Sequence, residues 1–233
     1  MAGRIAYYGG IVRDGLVLYL DAAKKDSYPG SGTVWRDIVG ANNGTLTNGP
    51  TFSSANGGSI VFDGVDDYSQ INNTPALQIT GDQTLEFFVY PKRRDRRQNW
   101  YDKAYGGEGT ITYEPNGSLN YYWGTAGSNT TPYQGVTTNG TPLATLNAWY
   151  HVVLVRELST PSRTIKWYIN GILNNTAAAS YTEATASSSN IRIGVGYTSY
   201  FQGDIQTVRI YNKALSAQQV LQNYNSTKTR FGL

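Results

Sequence analysis

Short runs rich in β-branched and aromatic side chains, roughly five to eight residues each, recur along the whole chain between clusters of Gly, Asn, Pro, Ser and Thr. Residues 16–20, 59–62, 84–90, 149–156, 164–169, 190–193 and 205–211 have this form. Punctuation at that spacing leaves one short stretch of helical period, so the core must be built from sheets. Several runs are continuously apolar, as expected of strands lying between layers. At 233 residues the chain suits a single large all-β domain, and no linker divides it.

Turn chemistry fixes two hairpins. Asn116-Gly117 separates 110–114 from 118–123, and Asn170-Gly171 separates 166–169 from 172–173; Asn-Gly tolerates the positive φ angles of tight turns. The helical stretch begins at Ser216, which can cap with Gln219 three residues on. Val220, Leu221 and Tyr224 then share a face, predicted to cover one end of the sandwich. Residues 125–141, dominated by Gly, Asn, Thr and Pro, read as a long surface loop. The chain ends in a polar tail with an apolar tip, Phe231-Gly232-Leu233, able to dock on the domain or on a partner.

Composition removes several chemistries. There is no Cys, hence no disulfide framework, thiol nucleophile or thiolate metal site, and one His, hence no histidine metal centre. The single histidine, His151, lies on an apolar strand with Trp149 and Val153, the setting of a packed residue with one ring hydrogen bond. No Gly-x-Ser-x-Gly elbow accompanies it. Glycoside hydrolysis needs two carboxylates about 5–10 Å apart, and the strands show no such pair, Glu86 and Glu114 standing alone. Phosphate-binding glycine loops are missing. The net charge of +3 is small, which argues against a nucleic-acid partner. No apolar run reaches membrane-spanning length and residues 1–10 lack a signal-like apolar core, so no membrane insertion is expected, and synthesis is expected in a cytoplasm without a signal peptide.

Three features remain as binding candidates. Asp63, Asp66 and Asp67 could give a calcium ion oxygen ligands, although Asp and Gly are equally ordinary turn residues. The densest charge, Lys92 to Arg97, precedes Trp100 and Tyr101; Arg93, Arg94, Arg96 and Arg97 could grip an acidic surface, as could the Phe231–Leu233 tip an apolar one. Trp100, Tyr101, Trp123 and Tyr200 have flat faces and polar tips suited to stacking on sugar rings. Strand alternation lets only some of the aromatics around 121–123 and 197–201 face outward.

Five segments in order carry a resemblance: 59–68 (SIVFDGVDDY), 149–152 (WYHV), 167–171 (WYING), 191–194 (IRIG) and 201–216 (FQGDIQTVRIYNKALS). Together they resemble concanavalin A-like, laminin-G-type lectin/glucanase domains, from about Gly15 to Tyr224. The resemblance implies a jelly-roll sandwich of two antiparallel sheets, with one short C-terminal helix, used mostly for carbohydrate or protein binding. The acidic strand motif of glucanase members is missing, and Gln206 and Thr207 stand where many members carry an acidic pair. The domain plan is then an N-terminal arm at 1–14, a sandwich at 15–224 and a tail at 225–233. Segments 11–23, 27–32 and 224–233 further resemble stand-alone lectin-like structural proteins of tailed bacteriophages. That likeness implies a non-enzymatic virion surface protein, on capsid or tail, with other virion proteins and host or environmental polysaccharide as partners. A tail-fibre or free adhesin is the alternative, and a glycoside hydrolase a third.

Overall fold

The computed structural model describes residues 10–233. Of the arm expected at 1–14, residues 1–9 lie outside the described part, and with them all but Gly10 of the segment 1–10 expected to lack a signal-like core. In chain order the strands are β1 (Leu16–Asp21), β2 (Val34–Trp35), β3 (Gly44–Thr47), β4 (Thr51–Ser53), β5 (Ser59–Asp63), β6 (Tyr68–Ile71), β7 (Gln83–Pro91), β8 (Gln98–Ala104), β9 (Gly109–Tyr113), β10 (Leu119–Gly124), β11 (Tyr133–Thr137), β12 (Tyr150–Glu157), β13 (Thr164–Ile169), β14 (Ile172–Ala178), β15 (Ile191–Ile193), β16 (Ser199–Tyr200) and β17 (Gln202–Tyr211); helix α1 (Ala217–Thr227) follows.

They form two sheets of eight and nine strands. The first runs β14-β13-β12-β7-β17-β5-β4, with β1 beside the second half of β17; the second runs β11-β10-β9-β8-β15-β6-β3-β2, with β16 beside β8. Pairing is antiparallel except for the two-residue β16–β8 contact. The expected all-β sandwich of two antiparallel sheets with one short C-terminal helix is the fold observed.

Alternation decides which side chains enter the layer between the sheets, except at an irregularity on β8 where the consecutive Trp100 and Tyr101 both enter it. From the eight-stranded sheet come Leu18, Leu20, Phe87, Val89, Val152, Leu154, Trp167, Val208 and Ile210; from the other come Trp100, Tyr101, Ile111, Tyr113, Tyr121 and Trp123. The Asn170-Gly171 turn has positive φ at both residues (51° and 78°), which two-residue hairpins require. At Asn116-Gly117 only the glycine is left-handed.

The outer face of the eight-stranded sheet is covered by α1. Its capping box forms as expected, with Ser216 and Gln219 each accepting from the other's amide. Its buried face differs from the expected one: Val220, Asn223 and Thr227 are buried while Leu221 is exposed. The reason is polar. Asn223 donates to Glu86 at 2.7 Å and accepts from the Val12 amide at 2.8 Å, knitting helix, sheet and N-terminal segment together. Val12 therefore belongs to the packed domain, and α1 runs past the expected boundary at 224. His151 is the packed residue expected, its Nε2 2.9 Å from Glu86 Oε1. Residues 125–141 do not form one long loop, because β11 arises within them and pairs with β10. Among the described residues no helix is long and apolar enough to cross a membrane.

Candidate functional site

Strand β10 reads Leu-Asn-Tyr-Tyr-Trp-Gly, and alternation sends Leu119, Tyr121 and Trp123 into the core and Tyr122 outward. Tyr122 stands opposite Gly135 of β11. A Cβ at Gly135 would come 3.0 Å from the Tyr122 ring, so the missing side chain makes room for it. Tyr133 opens β11. Tyr105 follows β8, its amide bonded to Asn129 Oδ1 at 2.9 Å. Tyr197 lies between β15 and β16, on a segment anchored where Thr198 donates its amide to Asn99 Oδ1 at 2.9 Å.

These four rings form a closed circuit on the outer face of the nine-stranded sheet. Centroids are 5.2 Å apart for Tyr105–Tyr133, 5.7 Å for Tyr133–Tyr122, 6.1 Å for Tyr122–Tyr197 and 5.0 Å for Tyr197–Tyr105. With Arg97 they line a pocket of about 180 Å³. Tyr133 and Tyr197 are 43% and 40% exposed, so the pocket opens to solvent.

An ion pair fixes its polar side. Arg97 Nε donates to Glu114 Oε2 at 2.8 Å, and Glu114 Oε1 accepts from Thr112 at 2.7 Å and Asn120 at 2.9 Å. Burial raises the Glu114 pKa, but the bonds from Thr112, Arg97 and Asn120 outweigh it and hold the carboxyl below its ordinary value. Burial and the neighbouring Tyr122 push the Tyr197 phenol upward, leaving its O–H intact at neutral pH. The arrangement offers flat apolar faces, hydroxyls and an oriented guanidinium in a small concave space. That combination suits a polyhydroxylated ring, with C–H faces for the aromatics and hydroxyls for the polar groups.

A family model described as the concanavalin A-like lectin/glucanases superfamily matches residues 63–221, more than half of the chain. The chain belongs to this superfamily. Among solved structures, the superfamily sandwich is similar to the binding domain of Paraclostridial Mosquitocidal Protein 1 (TM-score 0.72, 15% identity, covering 91% of this chain and 52% of that one). It is similar also to the botulinum neurotoxin serotype D ligand-binding domain in complex with N-acetylneuraminic acid (0.68, 15%, 91% and 51%). A third is domain 4 of AbnA, a GH43 extracellular arabinanase from Geobacillus stearothermophilus, in complex with arabinotriose (0.68, 17%, 91% and 100%). At these identities the likeness is one of fold. The chain spans about half the length of the toxin domains it matches. No curated protein matches the sequence.

Within the superfamily fold, several residues read from sequence fall elsewhere than expected. Trp100, Tyr101 and Trp123 are fully buried between the sheets, Trp100 packed against Tyr113 and Phe201, and are closed to a sugar. Tyr200 is half-buried on β16 and lines a separate depression with Val65, Arg93 and Arg96. The basic run is not a free cationic patch. Arg93 pairs with Asp95, Arg94 donates to the Pro115 carbonyl at 3.1 Å, Arg96 donates to the Gly64 carbonyl, and Arg97 belongs to the tyrosine pocket. Phe231 is no free tip, being stacked on Phe88 at 4.6 Å and against Trp149 at 4.5 Å; Leu233 stays exposed.

The carboxylates of Asp63, Asp66 and Asp67 lie within 4.8 Å of one another. They already serve the turn: Asp63 Oδ1 accepts from the Val65 amide at 2.8 Å, and Asp67 Oδ2 accepts from the Asp63 amide at 3.0 Å. Burial, then the charges of Asp63 and Asp66, raises the Asp67 pKa above its ordinary value. The remaining lone pairs fit a hard cation such as calcium. Of the pocket's tyrosines, alternation along β10 only sets Tyr122 on the face opposite Trp123; Tyr105 and Tyr133 come from turns and an edge strand that carry no such period.

Proposed function

We propose that this chain is a non-enzymatic carbohydrate-binding protein that holds a polysaccharide in the pocket of Tyr105, Tyr122, Tyr133, Tyr197 and Arg97. The observation that carries the reading is the closed tyrosine circuit around an oriented guanidinium. Complexes of similarly folded domains with N-acetylneuraminic acid and arabinotriose support a sugar ligand. The non-enzymatic reading is supported by carboxylate placement. On this face Asp102 sits opposite Thr110, and Glu114 lies four residues further along, roughly 13 Å away at about 3.3 Å per residue. That exceeds the roughly 5–9.5 Å of paired glycosidase carboxylates.

The setting we infer is a bacteriophage virion surface, with other virion proteins as partners and host or environmental polysaccharide as ligand, supported by the phage-like segments 11–23, 27–32 and 224–233. Screening the protein and Tyr122→Ala against a polysaccharide panel tests the first part. Ligands bound by the parent and lost in the variant are expected; equal binding by both overturns the site, and release of reducing ends overturns the non-enzymatic reading. Quantitative mass spectrometry of purified particles tests the second. Copies near those of the capsid protein place the chain on the capsid, a few to tens place it on the tail or fibres, and absence overturns the virion setting.

A further inference from the structure

The opposite layer of the molecule carries a second pocket with different chemistry. It measures about 170 Å³ and lies between β1, β17 and the end of α1, with Arg13, Tyr19, Lys24, Arg209, Thr227 and Arg230 on its walls. Its four cations come from four separated segments of sequence, so no charge run announces them.

Two carboxylates serve these four cations. Glu86 takes Arg209 Nη1 at 2.7 Å, and Asp21 takes Arg230 Nη1 at 2.9 Å, so four positive charges less two negative leave an excess of +2. Arg13 and Lys24 are exposed and have no ion pair among the described residues. Arg209 is fully buried over the Tyr19 ring, 4.9 Å from its centroid. Its Nη2 donates to Thr227 Oγ1 at 3.2 Å, but its Nε has no hydrogen-bond acceptor among the described residues. Leaving a buried N–H without an acceptor costs about 1–3 kcal/mol, more where the group is charged. The residue that bears this donor forms a wall of the pocket.

Small volume, converging N–H and O–H donors and a surplus of two positive charges select for a compact dianion. We propose that this pocket binds a phosphate or sulfate group, held by Arg209 and Arg230 at its base and by Arg13 and Lys24 at its mouth. The site is independent of the tyrosine pocket, which lies on the other sheet.

The probe is inorganic phosphate, then sulfate, titrated into the full chain by calorimetry and by amide NMR at constant ionic strength. Saturable binding with shifts at Thr227 and Arg230 is expected. Arg13→Ser with Lys24→Ser, both exposed and outside the buried network, should weaken it at least tenfold without altering the thermal midpoint in phosphate-free buffer. Arg36→Ser with Arg192→Ser, which removes the same charge elsewhere, should leave it within twofold. A sugar phosphate binding more tightly than inorganic phosphate identifies an esterified group as the ligand, and equal binding identifies the free ion. Unsaturable binding, or equal weakening by both double variants, overturns the proposal.

Discussion

Arg97 and Glu114 meet on the open face of the nine-stranded sheet, Nε to Oε2 at 2.8 Å, in a pocket otherwise lined by tyrosine. The pair aims the guanidinium. Because the Arg97 side chain is 44% exposed, solvent screening keeps its contribution to stability below about 1 kcal/mol. Arg97→Met should therefore weaken polysaccharide binding about tenfold, or ~1.4 kcal/mol, with little change in thermal midpoint. Calorimetric titration beside a thermal melt checks both; a large fall in midpoint with unchanged affinity would assign the pair to the fold.

Neighbouring residues of β10 should separate binding from stability. Tyr122 faces the pocket and Trp123 the core, where it is fully buried. Tyr122→Ala should lose affinity at least tenfold and little stability. Trp123→Ala should lose about 3–5 kcal/mol, as large-to-small changes in cores do, while any folded fraction binds normally. Denaturant titration and binding isotherms on the two variants decide whether the parity is right.

That parity marks where sequence reading ran out. Both hairpins, the Ser216 cap and the strands β1, β5, β7, β12, β13, β15 and β17 follow from periodicity and turn chemistry, which act over a few residues, whereas β2, β3, β4, β6, β8, β11 and β16 carry no such run. Alternation says that Tyr122 and Trp123 face opposite ways but not which way is out, since the choice depends on the layer beneath. The tyrosine circuit joins residues 105, 122, 133 and 197 from a turn, a strand, an edge strand and a loop, a meeting made by sheet order alone. Arg97 looked like part of a charge run because its partner, Glu114, lies across a hairpin. Buried charge was equally hidden. Arg156 reads as a polar strand end, yet it is fully buried and donates to the carbonyls of Ile79, Gly81 and Glu108 at 2.6–2.9 Å.

The C-terminal aromatic should act on stability. Phe231 stacks on Phe88 with an interplanar angle of 11° and touches Trp149, closing the outer face of the eight-stranded sheet beside α1. Phe231→Ala should cost about 3 kcal/mol, the lower part of the range for such truncations, because the ring sits at the edge of the molecule. In the virion setting proposed above, incorporation into particles, corrected for the amount of folded protein, should be unchanged. Normal stability with lost incorporation would make Phe231 an attachment residue after all.

Acid should destabilise the domain in two stages that one buried group can separate. Glu86 Oε1 lies 2.7 Å from Arg209 and 2.9 Å from His151, and its Oε2 accepts from Asn223 at 2.7 Å. Burial raises its pKa, but the charge of Arg209 and the contact with His151 outweigh burial and hold it down to about 2. A carboxyl depressed on folding stabilises above its unfolded value, and that stability, on the order of 3 kcal/mol, is lost as pH falls from about 4.5 toward 2. For His151, burial lowers the pKa more than Glu86 raises it, so the ring stays neutral with Nε2–H donated to the carboxylate. Below about pH 6.5 the unfolded chain takes up a proton that the folded chain refuses, and stability falls with pH. His151 is the only histidine in the chain, so no other imidazole contributes to this first stage. Carboxyls raised by burial, Asp67, Asp102 and Asp204, act in the opposite sense at lower pH. Urea unfolding at pH 8, 6.5, 5.5 and 4.5 should show a decline beginning near 6.5 in the parent. His151→Gln, which keeps an N–H for Glu86, should remove it, and an identical slope in both proteins would place the loss elsewhere.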